Sequence, residues 1–281
     1  MNFDHNRNLI GIFYGIIYEP NIHLTFLVQE FILTINCYDE GTINPHFYAK
    51  MLKNLVEKNK KIVIDPLIRT IVNFPNFTIN PFVTANKVFR ILADTQSSTI
   101  LIRCLSIITK SNWLECTKIL CKTTHAHPIC MAGSMFFMTT IRLFATKSMS
   151  IYDPNFILNV RSIMYKTSQH IKNRQYQKAY VRVFDKPEMD WEECNTNHIL
   201  CGLSTFSTAI RMLPTISPNI TLLPGILTER LTYFESLNGN SKIHKTIFLI
   251  TMGSIFGYEA LPSSTTTNFK LFINPLKKFI E

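Results

Sequence analysis

Thr124-His125-Ala126-His127-Pro128-Ile129-Cys130-Met131-Ala132-Gly133-Ser134-Met135-Phe136-Phe137-Met138-Thr139-Thr140-Ile141 is the stretch that decides the fold. His127-Pro128 opens a helix, with the proline inside the first turn, where its missing N–H is no loss. From residue 129 to 145 small and large apolar residues alternate through Met131, Gly133, Met135, Phe136 and Ile141. That mixture suits a helix buried on most sides. Outward from it, most long segments also read as helices. Leu9–Ile17 and 23–35 are apolar, and Phe47, Met51, Leu52 and Leu55 follow Pro45 at helical spacing. Further helices are expected over 83–93, 97–109, 112–122, 154–176, 199–212, 223–236 and 244–258. Residues 62–81 are broken by Pro66, Pro75 and Pro81, and 178–195, polar and aromatic, read as a loop. Lys61-Ile62-Val63-Ile64 is a candidate strand, but such runs do not recur at regular spacing. With no internal repeat and no obvious linker, the expectation is one all-α domain over residues 1–281.

Composition bounds the function. The chain has 281 residues, 46% of them hydrophobic, enough for a large core. Twenty-nine Lys/Arg against nineteen Asp/Glu give a formal charge of +10, which favours anionic partners in general. The positive charge is thinly spread. Its densest runs, Glu57-Lys58-Asn59-Lys60-Lys61 and Lys277-Lys278, are not flanked by aromatics in an obvious stacking platform, so no specific nucleic-acid signal emerges. Seven cysteines, an odd number, sit mostly in apolar stretches, and none forms a CxxC pair. Free, reduced thiols of an intracellular, cytoplasmic protein account for them. No run has the length of a confident membrane span, and the apolar N-terminal run, followed by Glu19-Pro20, reads as a buried helix rather than a signal sequence.

Four segments of the chain carry a family resemblance. Thr124-His125-Ala126-His127-Pro128, followed by Ala132-Gly133, resembles the T-H-x-H-P element of the ADP-ribosylglycohydrolases, the family of dinitrogenase reductase-activating glycohydrolase and the ADP-ribosylarginine hydrolases. Upstream, Ser98-Thr99-Ile100-Leu101-Ile102-Arg103 falls where that family has N-G-x-x-M-R, with the arginine retained as Arg103 and Ser106 in place of a proline. At the N-terminus, Gly11 and Gly15 match the glycines of G-x-x-x-G-D-A-x-G, but Ile16 stands at the aspartate. Near the C-terminus, Gly253, Gly257 and Pro262 fit the end of the helix that follows the family's G-G-D-[TS]-D-[TS] motif. Counting back places that motif on Asn238-Gly239-Asn240-Ser241-Lys242-Ile243. The resemblance implies a compact ADP-ribosylglycohydrolase-like helical bundle, shortened around residues 16–24, where the family carries a long loop.

The resemblance also implies paired magnesium ions, which need several oxygen ligands. Here the aspartates of the last motif are replaced by Asn240 and Lys242. The family's second ligand segment maps onto Glu19-Pro20-Asn21-Ile22, which has no aspartate pair. No metal or cofactor is therefore expected. Lys242 either sets a positive charge where the cation would stand or is an ordinary loop lysine. His125 and His127 either border an ADP-ribose pocket, with a pyrophosphate at the helix N-terminus, or serve the fold, one as a cap and one in packing. Arg103 either contacts a phosphate or pairs with a carboxylate inside the bundle. Ser204, with Thr205 and Ser207, either lines the substrate side or packs between helices.

The leading expectation is a catalytically inactive relative that retains an ADP-ribose site or acts as a scaffold for an unknown protein partner, with ADP-ribose or an ADP-ribosylated protein as ligand. One alternative is an active hydrolase that removes ADP-ribose from modified side chains. It requires carboxylates from elsewhere, with Asp94 and Glu30 the candidates. The other is a basic module for nucleic acid or a membrane surface.

Overall fold

The computed structural model describes residues 6–17, 22–59, 64–92, 95–185, 198–216, 226–229, 231–232, 242–257, 261 and 279. Among them nearly all regular structure is helical: α1 (Arg7–Ile17), α2 (Ile22–Cys37), α3 (Pro45–Lys58), α4 (Pro66–Asn73), α5 (Pro81–Ile91), α6 (Thr99–Cys104), α7 (Trp113–Thr124), α8 (Pro128–Ala145), α9 (Phe156–Ser168), α10 (Arg174–Asp185), α11 (Ile199–Met212) and α12 (Lys242–Phe256). One antiparallel hairpin of β1 (Tyr38–Asp39) and β2 (Thr42–Ile43) joins α2 to α3. Its turn residues Glu40 and Gly41 both have positive φ, as a tight two-residue hairpin turn requires. The fold class is all-α, as the sequence predicts.

Local chemistry sets where the helices begin. Pro45, Pro66, Pro81 and Pro128 each lie in the first turn of a helix. The side chains ahead of three of them cap the free N–H groups: Asn44 accepts from His46 and Phe47, Asp65 from Leu67, and His127 from Ile129. Pro66 and Pro81 thus start helices in a stretch whose prolines suggested only breaks. Asp65 also accepts from the hydroxyls of Ser97 and, at 2.7 Å, Thr99, which ties the start of α4 to the start of α6.

Two expected helices are divided. The stretch expected as 97–109 is α6 followed by a 3-10 turn over Leu105–Ile107. The stretch expected as 154–176 ends at Ser168, where the Ser168 hydroxyl turns back to the Tyr165 carbonyl at 2.7 Å. A new helix, α10, starts after Asn173, whose side chain accepts from the N–H groups of Gln175 and Tyr176. The segment read as a loop from residue 178 is therefore helical to Asp185. Tyr180, Val183 and Phe184 recur at helical spacing and are buried, while the rest of α10 is polar. Most of the expected helix 223–236, the candidate strand except Ile64, and the loop from 186 to 195 lie outside the described residues.

One hydrophobic core runs through the bundle, with α8 deep inside it. Among the described helices α8 is the one long and apolar enough to cross a membrane, a length the sequence reading did not assign to any run, and 67% of it is buried in the bundle. Phe136 meets Phe184 and Phe206 edge-on, and Phe137 also meets Phe206. Phe279, near the C-terminus, packs against Phe13 and Phe31, and its carbonyl accepts from the Thr109 hydroxyl at 2.7 Å.

The tightest helix pair is α1 with α12. A Cβ on Gly11 would lie 2.2 Å from the Gly253 carbonyl oxygen, one on Gly253 2.3 Å from that of Gly11, and one on Gly15 2.7 Å from the Ile250 nitrogen. The two backbones touch, which only glycine permits. Gly257, with φ of 82°, then ends α12. Gly133 is a milder case: its Cβ would meet the end of the Leu203 side chain at 2.8 Å. Gly253→Ala is expected to destabilise the protein by about 3 kcal/mol or more, because a backbone has to move, and Gly133→Ala by about 1 to 2 kcal/mol, because Leu203 can turn aside. Urea denaturation of both variants reads the difference, and equal costs would sink this account of the α1–α12 contact.

Candidate functional site

The motif residues meet around a buried ion pair. Arg103 on α6 is fully buried, with its Nε 2.8 Å from a carboxylate oxygen of Glu30 on α2, and the two side chains are 0% and 1% exposed. Its Nη1 donates to the Thr124 hydroxyl at the end of α7. That hydroxyl lies 2.9 Å from Nδ1 of His125. A line of polar contacts thus crosses from α2 through α6 to the α7–α8 junction. Tyr48 of α3 is buried in the field of the same pair.

Burial and charge pull these groups in opposite directions. Burial pushes the Glu30 carboxyl up, against the pull of Arg103. Burial draws the Arg103 guanidinium down, but Glu30 and other neighbours more than offset this, and it stays charged. His125 is driven well below the usual imidazole value, first by burial and then by the Arg103 charge, so it is neutral. Arg103 Nη2 and His125 Nε2 find no hydrogen-bond partner among the described residues.

The structure brings some of the expected site residues together and separates others. Arg103 and His125 are joined through Thr124. His127 caps α8, its Nδ1 3.1 Å from the Ile129 N–H. Its ring sits between Phe89 and Tyr176, with centroids 5.1 and 4.7 Å away. Ser204 is buried on α11 beside buried Thr205 and Ser207. One turn of that helix is fitted closely to the start of α6, since a Cβ on Gly202 would meet the Ser98 Cβ at 2.7 Å. Lys242 is the first residue of α12, and its side chain lies outside the described residues, as do Asn238 to Ser241, Glu19 to Asn21, and Asp94.

Among the described residues no group of three His, Cys, Asp or Glu is placed to hold a metal ion. The donor chemistry also argues against magnesium beside the T-H-x-H-P element. Glu30 is the carboxylate of this cluster, and the guanidinium 2.8 Å from it would repel a hard cation. The segments onto which the resemblance maps the metal ligands, Glu19 to Asn21 and Asn238 to Ser241, lie outside the described residues. The arrangement of the cluster ties helices together and holds a neutral imidazole beside a compensated charge.

The sequence reading named Glu30 as a carboxylate candidate and an internal carboxylate as one partner for Arg103, but did not join the two. They lie far apart in the chain, and no spacing rule links them. It read the cysteines as partly buried thiols in apolar stretches but did not place any of them around the pair. Cys104 and Cys121 are hydrogen-bonded neighbours, with Cys104 pushed up chiefly by burial. The Cys121 thiol points toward the Cys130 carbonyl and the Cys130 thiol toward the Thr95 carbonyl. No family model, curated protein or solved structure matches the chain.

Two measurements check the electrostatics. Arg103→Met strands a buried carboxylate and is expected to cost about 3 to 5 kcal/mol, whereas Glu30→Leu combined with Arg103→Met should recover most of that loss. A double variant no more stable than Arg103→Met would show that the pair does not act as a unit. For His125, the lowered value in the folded protein means that the unfolded chain takes up the proton first. Its contribution is present above the usual imidazole value of about 6.5 and is lost as pH falls below it, by up to about 1.4 kcal/mol per pH unit. Denaturant titrations between about pH 7.5 and 5 should therefore show a shallower fall for His125→Gln than for the parent. Parallel slopes would mean that His125 titrates normally.

Proposed function

We propose that this chain is a catalytically inactive relative of the ADP-ribosylglycohydrolases that serves as a protein-interaction scaffold. The observation that carries this reading is the Glu30–Arg103 pair, which occupies internally the charge that a phosphate-binding arginine would offer a ligand. Two further features support it. The stretches that carry the resemblance, α1, α6 to α8, and α12, are distant in sequence and pack on one another in the core. The residues beside the T-H-x-H-P element are turned inward: Arg103, His125, His127 and Ser204 are each at most 3% exposed. The replacement of the family's metal-motif aspartates by Asn240 and Lys242 points the same way. The six described cysteines are buried and form no disulfide with one another, which suits a reducing intracellular compartment.

Isothermal titration with ADP-ribose, with and without magnesium, tests this, alongside an assay for release of ADP-ribose from a modified arginine peptide. The expected outcome is no release and no binding under either condition. Binding without magnesium would replace the scaffold with a ligand-sensing form of the same inactive relative. Magnesium-dependent binding with release would overturn the proposal and establish a working hydrolase.

A further inference from the structure

The α9–α10 hairpin gathers charge that is spread thinly along the rest of the chain. Between Pro154 and Phe184 there is no aspartate or glutamate, against Arg161, Lys166, Lys172, Arg174, Lys178 and Arg182. Arg174, Lys178 and Arg182 are spaced four residues apart on α10, hence lie on one face, and all three are exposed. The opposite face, with Tyr180, Val183 and Phe184, anchors the helix in the core. Asp185 ends the run, and Arg161 engages it at 3.0 Å.

Between the two helices lies an open groove of about 650 Å³, lined among others by Tyr165, Gln169, Gln177, Lys178 and Arg182. Tyr165 is 43% exposed, and the Arg161 guanidinium stacks 5.5 Å from its ring centre. The Gln177 side chain donates to the Ser168 carbonyl at 3.1 Å and ties α10 to the end of α9. The groove therefore combines the Lys178 and Arg182 cations, an accessible flat aromatic and side-chain amides on a braced helical frame, with Asp185, paired to Arg161, the one acidic residue of its lining.

That combination discriminates among anionic partners. A bilayer is flat and would leave the floor of a groove uncontacted. An acidic peptide supplies charge, but a flat ring for Tyr165 only where an aromatic residue falls opposite it, whereas every nucleotide carries one. A single nucleic-acid strand supplies a flexible row of phosphates together with bases that stack on aromatic rings. We propose that the α9–α10 groove binds single-stranded nucleic acid, with Lys178 and Arg182 on the phosphates and Tyr165 under a base. This site is separate from the Arg103 cluster and does not depend on the reading proposed above.

The test is fluorescence anisotropy of the full chain with labelled oligo-U and oligo-dT of roughly twenty nucleotides, titrated over salt. Binding should weaken with salt, and Lys178→Ala combined with Arg182→Ala should lower affinity about tenfold or more and flatten the log–log salt slope by about 1.4. Tyr165→Leu should lower affinity about fivefold or more with the slope unchanged. Lys50→Ala combined with Lys58→Ala removes the same charge from exposed positions on α3 and should leave affinity within about twofold. Failure to bind either oligonucleotide overturns the proposal. So does an equal loss in the two double variants, which would assign binding to net charge. Polyglutamate or phosphatidylserine vesicles competing as well as the oligonucleotide, with Tyr165→Leu silent, would assign the groove to another partner and overturn it too.

Discussion

An arginine that is 0% exposed has to be neutralised where it stands, and much of this fold follows from how Arg103 meets that requirement. Taking a guanidinium and a carboxylate out of water costs several kcal/mol for each ion, and their attraction offsets this only with close geometry. Glu30 supplies the opposite charge from α2, and Thr124 takes one of the remaining N–H groups from the end of α7. Each contact fixes the position of another helix relative to α6. His125 is neutral first because it is buried, and the Arg103 charge beside it acts in the same direction. The pair orders three helices and at the same time removes from the cluster the free positive charge that ligand chemistry would need.

The glycines of the resemblance have a physical account that does not pass through catalysis. Gly11, Gly15 and Gly253 stand where the backbones of α1 and α12 touch, and a side chain at any of them would strike main-chain atoms. Such positions constrain the residue type whether or not an active site lies nearby. Ile16, at a position where the family has a carboxylate, is itself a buried core residue. The glycine half of the resemblance thus has a packing explanation of its own, whatever the chemistry of the site.

The helical character was legible because apolar spacing and X-Pro starts are local signals. Asn44-Pro45 and His127-Pro128 announce helix starts at positions the structure reproduces. The break between α9 and α10 was not legible in the same way. Its determinants are a serine bonding backward at Ser168 and an asparagine cap at Asn173, and both residue types are common inside and outside helices. Polar residues over most of α10 also masked the spacing of Tyr180, Val183 and Phe184. At the candidate site, the residue types in the T-H-x-H-P element were visible, but their burial was not. Whether a histidine faces a cleft or a core depends on contacts such as Phe89 and Tyr176 around His127, which come from elements remote in sequence.

The placement of charge separates two parts of the molecule that a motif search treats as one. Inside, Arg103 is matched by Glu30, and the groups around the pair are sealed by the core. Outside, the α9–α10 hairpin exposes a face of Arg174, Lys178 and Arg182 in a stretch where Asp185 is the nearest acid and already holds Arg161. Evenly distributed positive charge would give a weak field in every direction. The same charge collected along a groove makes a local potential with a shape, and shape is what lets electrostatics select a partner as well as attract one. The exposed cations thus lie on helices other than those that hold Arg103 and the glycine contact. The hairpin can change at its surface while Arg103 and the glycine contact continue to hold the core, because its exposed cations take no part in either.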